Sequence, residues 1–221
     1  MTTPRTVLVD AHRGASATHP ENTLAAFRAA VEAGADSVEL DVQLTADGEP
    51  VVIHDDTVDR TTNGSGAVAE LPLKTIRALD AGSWRHPRFS GQRIPTLDET
   101  LELLAAAPRI NMELKSEDPR LAEVAVEAIE ARRLHPGIMV SSFLLRHLVA
   151  VKRRLPGVRT HLFLTDALPD GFWERHGRWI GSIGIREDHV TESLVTQLRD
   201  QGRPTWAWTV DDPSRALELA A

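Results

Sequence analysis

The chain has 221 residues, is 42% hydrophobic and 26% charged, and carries a formal net charge of -7, which suits one large globular domain or two small ones. It has no cysteine, so disulfides, thiolate catalysis and cysteine-ligated metals are excluded. The acidic balance argues against nucleic acid as a partner, since such binders show a basic face, but leaves a phosphate-bearing substrate open because a metal reverses the local field.

MTTPRTVLVD at the N-terminus lacks a basic region followed by an apolar run, and no apolar run nears membrane-spanning length. A soluble cytoplasmic protein without stable membrane anchoring is therefore expected. Val7 to Ala11 is apolar enough for a buried strand and ends in His12-Arg13-Gly14. Pro20-Glu21-Asn22-Thr23 supplies helix-start residues, Leu24, Phe27 and Val31 recur at helical spacing, and Gly34 stops the helix. Ser37 to Leu44 is the next strand, and the opening thus has the strand–helix–strand pattern of parallel sheets.

VELDVQLTADGEPVVIHD, Val38 to Asp55, reads as two short strands joined at Asp47-Gly48. A two-residue turn places Asp41 opposite His54. Side chains alternate along a strand, so Glu39, Asp41 and His54 then share one face while Val38, Leu40 and Val42 face a core. The plain alternative is a solvated outer face, the default for antiparallel strands.

Residues 56–92 form a functional loop or small insertion, too long for an ordinary connection. A short helix is expected over Leu73 to Leu79, with Trp84 and Phe89 anchoring the segment to the rim of the fold. From Ile94 the alternation returns. Helices are expected over Thr96 to Ala106, Pro119 to Arg132, Leu144 to Arg154, Thr191 to Gln201 and Pro213 to Ala220, with a short helical segment near Phe172. Strands are expected over Ile110 to Lys115, Ile138 to Ser142, Val158 to Leu164, Trp179 to Ile185 and Thr205 to Val210. Thr96 and Thr191 are N-cap candidates. No internal repeat is visible. Strands that end in polar residues predict an α/β fold of the (βα)8 TIM-barrel type, with chemistry at the C-terminal mouth. An open doubly wound sheet is disfavoured because no Gly-x-Gly-x-x-Gly follows the first strand.

Glu39, Asp41 and Glu113 are carboxylates at strand ends, and oxygen-only ligands suit a hard cation, Mg2+ or Ca2+. His12 and His54 each follow an apolar strand and are candidates for acid–base work. Arg13 and Lys115, the latter one of three lysines, supply positive charge for an anion; either could equally be paired with a nearby acid.

This set, His12-Arg13-Gly14, Glu21-Asn22-Thr23, Glu39-x-Asp41, His54-Asp55, Ile94-Pro95-Thr96-Leu97, Glu113-x-Lys115, Ser142-Phe143 and Trp208-Thr209-Val210, resembles the glycerophosphodiester phosphodiesterase family from about Val7 to Val210. One motif alone is weak, but eight in order are specific. The resemblance implies a barrel of the PLC-like phosphodiesterase kind, one domain over 1–221 with an insertion at 56–92. It implies a divalent ion on Glu39, Asp41 and Glu113, and His12 and His54 as general acid and base. Arg13 and Lys115 would bind phosphate, and Phe143 and Trp208 would wall a glycerol site. The implied partner is a small-molecule phosphodiester such as glycerophosphocholine, cleaved to glycerol 3-phosphate and an alcohol within lipid and glycerol metabolism.

Three other readings are weighed. An amidohydrolase needs a His-x-His pair where this chain has His12-Arg13. A phospholipase-type barrel acting on lysophospholipid diesters needs exposed aromatics at the mouth, for which Trp84, Phe89, Phe143 and Trp173 are available. A truncated, non-catalytic barrel would lack a ligand residue, and all are present. Seven parallel strands can be counted. The resemblance implies one more after Trp208-Thr209-Val210, so the last barrel strand is expected to be missing.

Overall fold

The computed structural model of the chain describes residues 8–134, 137–165 and 171–220; the expected strand start at Val7 lies outside them. In order, the elements are β1 (Asp10–Ala11), α1 (Leu24–Glu32), β2 (Ser37–Leu44), β3 (Pro50–Val52), α2 (Leu73–Ile76), α3 (Leu97–Leu103), β4 (Ile110–Leu114), α4 (Arg120–Arg132), β5 (Ile138–Ser142), α5 (Leu145–Arg154), β6 (Arg159–Leu164), α6 (Phe172–His176), β7 (Ser182–Arg186), α7 (Glu192–Asp200), β8 (Thr205–Trp208) and α8 (Pro213–Ala220). Seven strands run parallel in the order β1-β2-β4-β5-β6-β7-β8, and β3 pairs antiparallel with β2. This is a TIM-type wall of seven staves, matching the sequence count. Among the described residues β1 and β8 are not joined. No described helix is long and apolar enough to cross a membrane.

The wall follows from alternation. All eight residues of β2 are buried, as expected for a parallel strand covered on both faces. Val38, Leu40, Val42 and Leu44 enter the main core with Phe27, Leu101, Met112 and Leu114. Glu39, Asp41 and Gln43 are buried on the opposite face of the strand. β4 repeats the scheme, and its register sets Asp41 beside Glu113 and Glu39 beside Asn111. Burying each large aliphatic side chain stabilises by roughly 1.5–3 kcal/mol, which offsets the cost of holding carboxylates inside.

Helix starts also follow the sequence. The Thr23 hydroxyl accepts from the Ala26 N–H and opens α1, and Thr191 does the same for α7 through the Leu194 N–H. At α3, Thr96 and Glu99 cap each other's backbone N–H groups. Thr96→Ala is expected to cost about 1 kcal/mol, read as a lower denaturant midpoint with an unchanged slope; an unchanged midpoint would show that Glu99 alone suffices.

Three expectations are corrected. The hairpin pairs Val42 with Val52 and Leu44 with Pro50, so its loop has three residues rather than two. The Thr45 N–H donates to Glu49 O, the Gly48 N–H donates to Thr45 O, and Gly48 takes the left-handed conformation that closes the loop. Asp41 therefore stands beside Ile53, whose N–H it accepts, and His54 is not its ladder partner. Leu8 and Val9, read as buried, are exposed, Val9 by 62%; among the described residues β1 has a strand neighbour only on the β2 side. Several ends also shift: α2 stops at Ile76, and a 3-10 turn over Gly177–Trp179 delays β7 to Ser182.

Residues 56–92 build their own small core, with Val58, Val68, Ile76 and Ala81 packed against Val51, Ile53 and Ile94. The Asp80 carboxylate accepts from the N–H groups of Gly82, Ser83 and Gly91, folding the segment back on itself. A Cβ at Gly82 would lie 2.0 Å from Phe89 O, so only glycine fits. The folded segment holds the loop after β1: Arg85 donates to Ala17 O, Arg88 donates to Thr18 O, and the Phe89 ring lies 5.0 Å from that of His19. Phe89 thus anchors the segment, whereas Trp84 is 39% exposed and donates to Ala81 O within it.

Candidate active site

The loop after β1, the middle of β2 and the C-terminal end of β4 deliver the acids and bases to one place. One carboxylate oxygen from each of Glu39, Asp41 and Glu113 lies within 4.8 Å of the others, and all three residues are buried. Glu39 Oε2 accepts from the Arg13 N–H at 2.7 Å, and Asp41 Oδ2 accepts from Asn22 Nδ2 at 2.7 Å. Their other oxygens, Oε1 and Oδ1, are buried without a hydrogen bond, and Glu113 Oε1 meets Lys115 Nζ at 3.2 Å in an ion pair. Such groups are costly unless something satisfies them.

Desolvation and mutual repulsion push the protons back on. Burial, then Asp41, raises Glu113 to about 7. Burial, then Asp41 and Glu113, raises Glu39 well above the usual carboxylate range. Three converging hard oxygen donors without sulfur fit Mg2+ or Ca2+, and a bound cation would invert this local pKa logic.

The strand-end loops are shaped to surround these acids. Arg13 and Gly14 both take positive φ, and a Cβ at Gly14 would lie 2.7 Å from the Ala26 carbonyl carbon, so the turn that aims the Arg13 N–H at Glu39 requires glycine there. Arg13 Nη1 donates to Glu21 at 2.8 Å, and its Nε lies 3.5 Å from Asp41. Lys115 Nζ lies 3.2 Å from Glu113 and 3.9 Å from Asp41. Both cations are thus paired with acids while also facing the cluster.

His54 reaches the site from the end of the hairpin rather than across its ladder. Its Nε2 is 3.1 Å from Lys115 Nζ and its Nδ1 is 2.7 Å from Asp55 Oδ1. An ammonium only donates, so Nε2 accepts and Nδ1 carries the proton toward Asp55. His12 is in electrostatic range of Asp41 and His54; burial, then the Arg13 charge, lowers it to about 4, so its imidazole is neutral at pH 7. Asp55 is in turn held by Arg60, which also donates to Glu21. These bonds pull Asp55 well below the usual carboxylate range, with Arg60 the largest cause.

Phe143, Phe163 and Trp208 close the opposite side. The Phe143 ring stacks on Phe163 at 4.9 Å and meets the Trp208 edge at 5.4 Å, with Lys115 Nζ 5.7 Å from its centroid. Of the nine residues singled out in the sequence, Glu39 and Asp41 lie within β2 and the other seven lie at or just past the C-terminal ends of β1, β3, β4, β5 and β8. Asn22, Arg60 and Phe163 were not singled out. Asn22 reads as a helix start and as part of the Glu21-Asn22-Thr23 motif with no role of its own, Arg60 sits in an aperiodic loop, and Phe163 looks like core.

Residues 12–221 match the glycerophosphoryl diester phosphodiesterase family, and the chain belongs to it. It is 40% identical over 208 residues to a glycerophosphodiester phosphodiesterase of Caldanaerobacter subterraneus subsp. tengcongensis, covering 92% of this chain and 86% of that one. A glycerophosphodiester phosphodiesterase of Bacillus subtilis is 36% identical over 229 residues, covering 95% and 78%. Among solved structures, an Oleispira antarctica phosphodiesterase in complex with the product sn-glycerol-3-phosphate superposes with a TM-score of 0.86 at 33% identity, over 96% of this chain and 88% of the other. The Agrobacterium tumefaciens glycerophosphodiester phosphodiesterase superposes at 0.84 and 33%, over 97% and 92%.

Proposed function

We propose that this chain is a single-domain, cytoplasmic hydrolase, with 56–92 inserted in its barrel, that cleaves glycerophosphodiesters such as glycerophosphocholine to glycerol 3-phosphate and an alcohol. The observation that carries the reading is the convergence of three buried carboxylates, Glu39, Asp41 and Glu113, with an oxygen of Glu39 and one of Asp41 left unbonded, beside Arg13, Lys115 and two histidines. The three carboxylates would hold Mg2+ or Ca2+, which when bound supplies positive charge against the phosphate oxygens.

This chain's own residues do the rest. Arg13 and Lys115 orient the phosphodiester and neutralise its non-bridging oxygens. His12, neutral through burial, takes the proton of the nucleophile: either a water, which gives glycerol 3-phosphate directly, or the vicinal glycerol hydroxyl, which gives a cyclic phosphate that a water then opens to glycerol 3-phosphate. Once Lys115 turns to the phosphate, His54 Nε2 is free to take up a proton from solvent. Asp55 at Nδ1 stabilises the resulting imidazolium, which protonates the departing alkoxide. Phe143 and Trp208, backed by Phe163, give the glycerol carbons an apolar wall.

Lysophospholipid diesters fit less well. Of the four aromatics that reading needs, Trp84 and Phe143 are exposed, and they lie on separate segments, with Phe143 held by Phe163 and Trp208. The test is release of glycerol 3-phosphate from glycerophosphocholine, with a lysophospholipid in parallel, before and after chelation and after return of Mg2+ or Ca2+. Release that stops on chelation and returns with cation is expected. A full rate after exhaustive chelation, or no release from any glycerophosphodiester, would overturn the reading.

A further inference from the structure

Arg60 has no part in the chemistry above, yet it is bonded to both of the arms that perform it. Its Nε and Nη2 donate to Asp55 Oδ2 and Oδ1 at 2.7 and 2.9 Å, and its Nη1 and Nη2 donate to Glu21 Oε2 and Oε1, both at 2.8 Å. Each carboxylate also holds a residue of the proposed machinery: Asp55 Oδ1 receives His54 Nδ1, and Glu21 Oε1 receives Arg13 Nη1. The contacts run without a break from Glu39 through the Arg13 backbone, Glu21, Arg60, Asp55, His54 and Lys115 to Glu113. Arg60 is the member of this ring that comes from the inserted segment.

We propose that Arg60 is a positioning residue that sets the spacing between the acid–base arm at His54 and the anion-binding arm at Arg13. The inference rests on the hydrolase reading given above for those two residues. Its physical basis is the guanidinium fork, which fixes the plane of each carboxylate it meets in two-point contact. A carboxylate fixed in plane fixes the ring or guanidinium on its other lone pairs, as outer partners do around metal ligands. The alternative is an ordinary surface ion pair, since the Arg60 side chain is 45% exposed and exposed pairs contribute little to stability. Glu21, at 12% side-chain exposure, is shielded, and both of its oxygens are engaged by two arginines.

Lysine keeps the charge but presents a single point donor and cannot bridge both carboxylates in fork geometry. Arg60→Lys is therefore expected to fold with an unchanged melting temperature. It should lose about 10- to 100-fold in kcat/KM, with KM rising through Arg13 as well as kcat falling through His54. Glu21→Gln should reproduce the KM part and Asp55→Asn the kcat part. The Arg60→Lys, Asp55→Asn double variant should lose much less kcat than the product of the two single losses. A second readout does not need turnover. The 15N shifts of the His54 ring, assigned against His54→Gln, should show a protonated Nδ1 in the wild type and a tautomer mixture in Arg60→Lys. Unchanged His54 shifts, or a wild-type rate in Arg60→Lys, would reduce Arg60 to a surface pair while leaving the hydrolase reading intact. A wild-type protein that releases no glycerol 3-phosphate would instead sink that reading, and the ring shifts alone would then decide whether Arg60 fixes His54.

Discussion

Glu39→Gln is expected to lower phosphodiester hydrolysis by at least 10- to 100-fold, roughly the cost of damaging the surroundings of a metal site, without weakening the cation-free fold. Glu39 is buried against Asp41 and Glu113, and burial with that repulsion is what raises it; a neutral isostere removes the repulsion. In the wild type a cation in hundredfold excess over its Kd should stabilise by about 2.7 kcal/mol, seen as a higher melting temperature, and in Glu39→Gln this gain should shrink or vanish. The sign of the pH dependence follows from the same groups. Glu113 lies near 7, raised from 4.5, with Glu39 also raised, so protons compete for the site and cation binding releases them. The apparent affinity should therefore increase as the pH rises from about 5 to about 8.

Without cation the signs oppose. Glu113 contributes stability that is full below its unfolded value of 4.5 and is lost as pH rises through the folded value near 7, and Glu39, also raised, acts in the same direction. His12, lowered from 6.5 to about 4, contributes stability that is present above 6.5 and is lost as pH falls through about 4. The cation-induced shift in melting temperature is the cleaner readout. An equal shift at pH 5.5 and pH 8, or a full shift in Glu39→Gln, would remove these carboxylates from the metal site.

The carboxylate cluster was legible because period-two alternation leaves no choice. Once Val38, Leu40 and Val42 enter the core, Glu39 and Asp41 must face the other way, and the parallel register then brings Glu113 beside Asp41. Helix starts were legible at Thr23, Thr96 and Thr191, where a hydroxyl meets an orphan N–H. Hairpin register was not. Asp47-Gly48 suits a two-residue turn and equally a three-residue loop with glycine in the left-handed position, and one residue of slip removed His54 from the face it was read on. His54 still reached the cluster because Lys115 and Asp55 hold it from either side. Arg60 carries no local signal, because its partners Glu21 and Asp55 are 39 and 5 residues away and meet only through the fold of an aperiodic segment. The exposure of Leu8 and Val9 was equally hidden, since composition does not report on which sides a strand finds its neighbours.

His12→Ala and His54→Ala are each expected to lower kcat by on the order of 10²-fold or more, the usual range for a positioned acid or base. The cation-induced rise in melting temperature should persist in both, because the carboxylates that carry it are untouched. The losses should not multiply. His12 is in electrostatic range of His54, and the proton taken at one end of the displacement must be matched by one delivered at the other. Without either, the remaining imidazole works against an uncatalysed step. The double variant should therefore lose less than the product of the single losses. Near-normal kcat at either position would remove that histidine from the chemistry. Loss of the cation-induced shift together with activity would mean that the substitution had damaged the metal site. Multiplicative losses with the shift retained would mean that the two histidines act in separate steps, which the electrostatic link between His12 and His54 argues against.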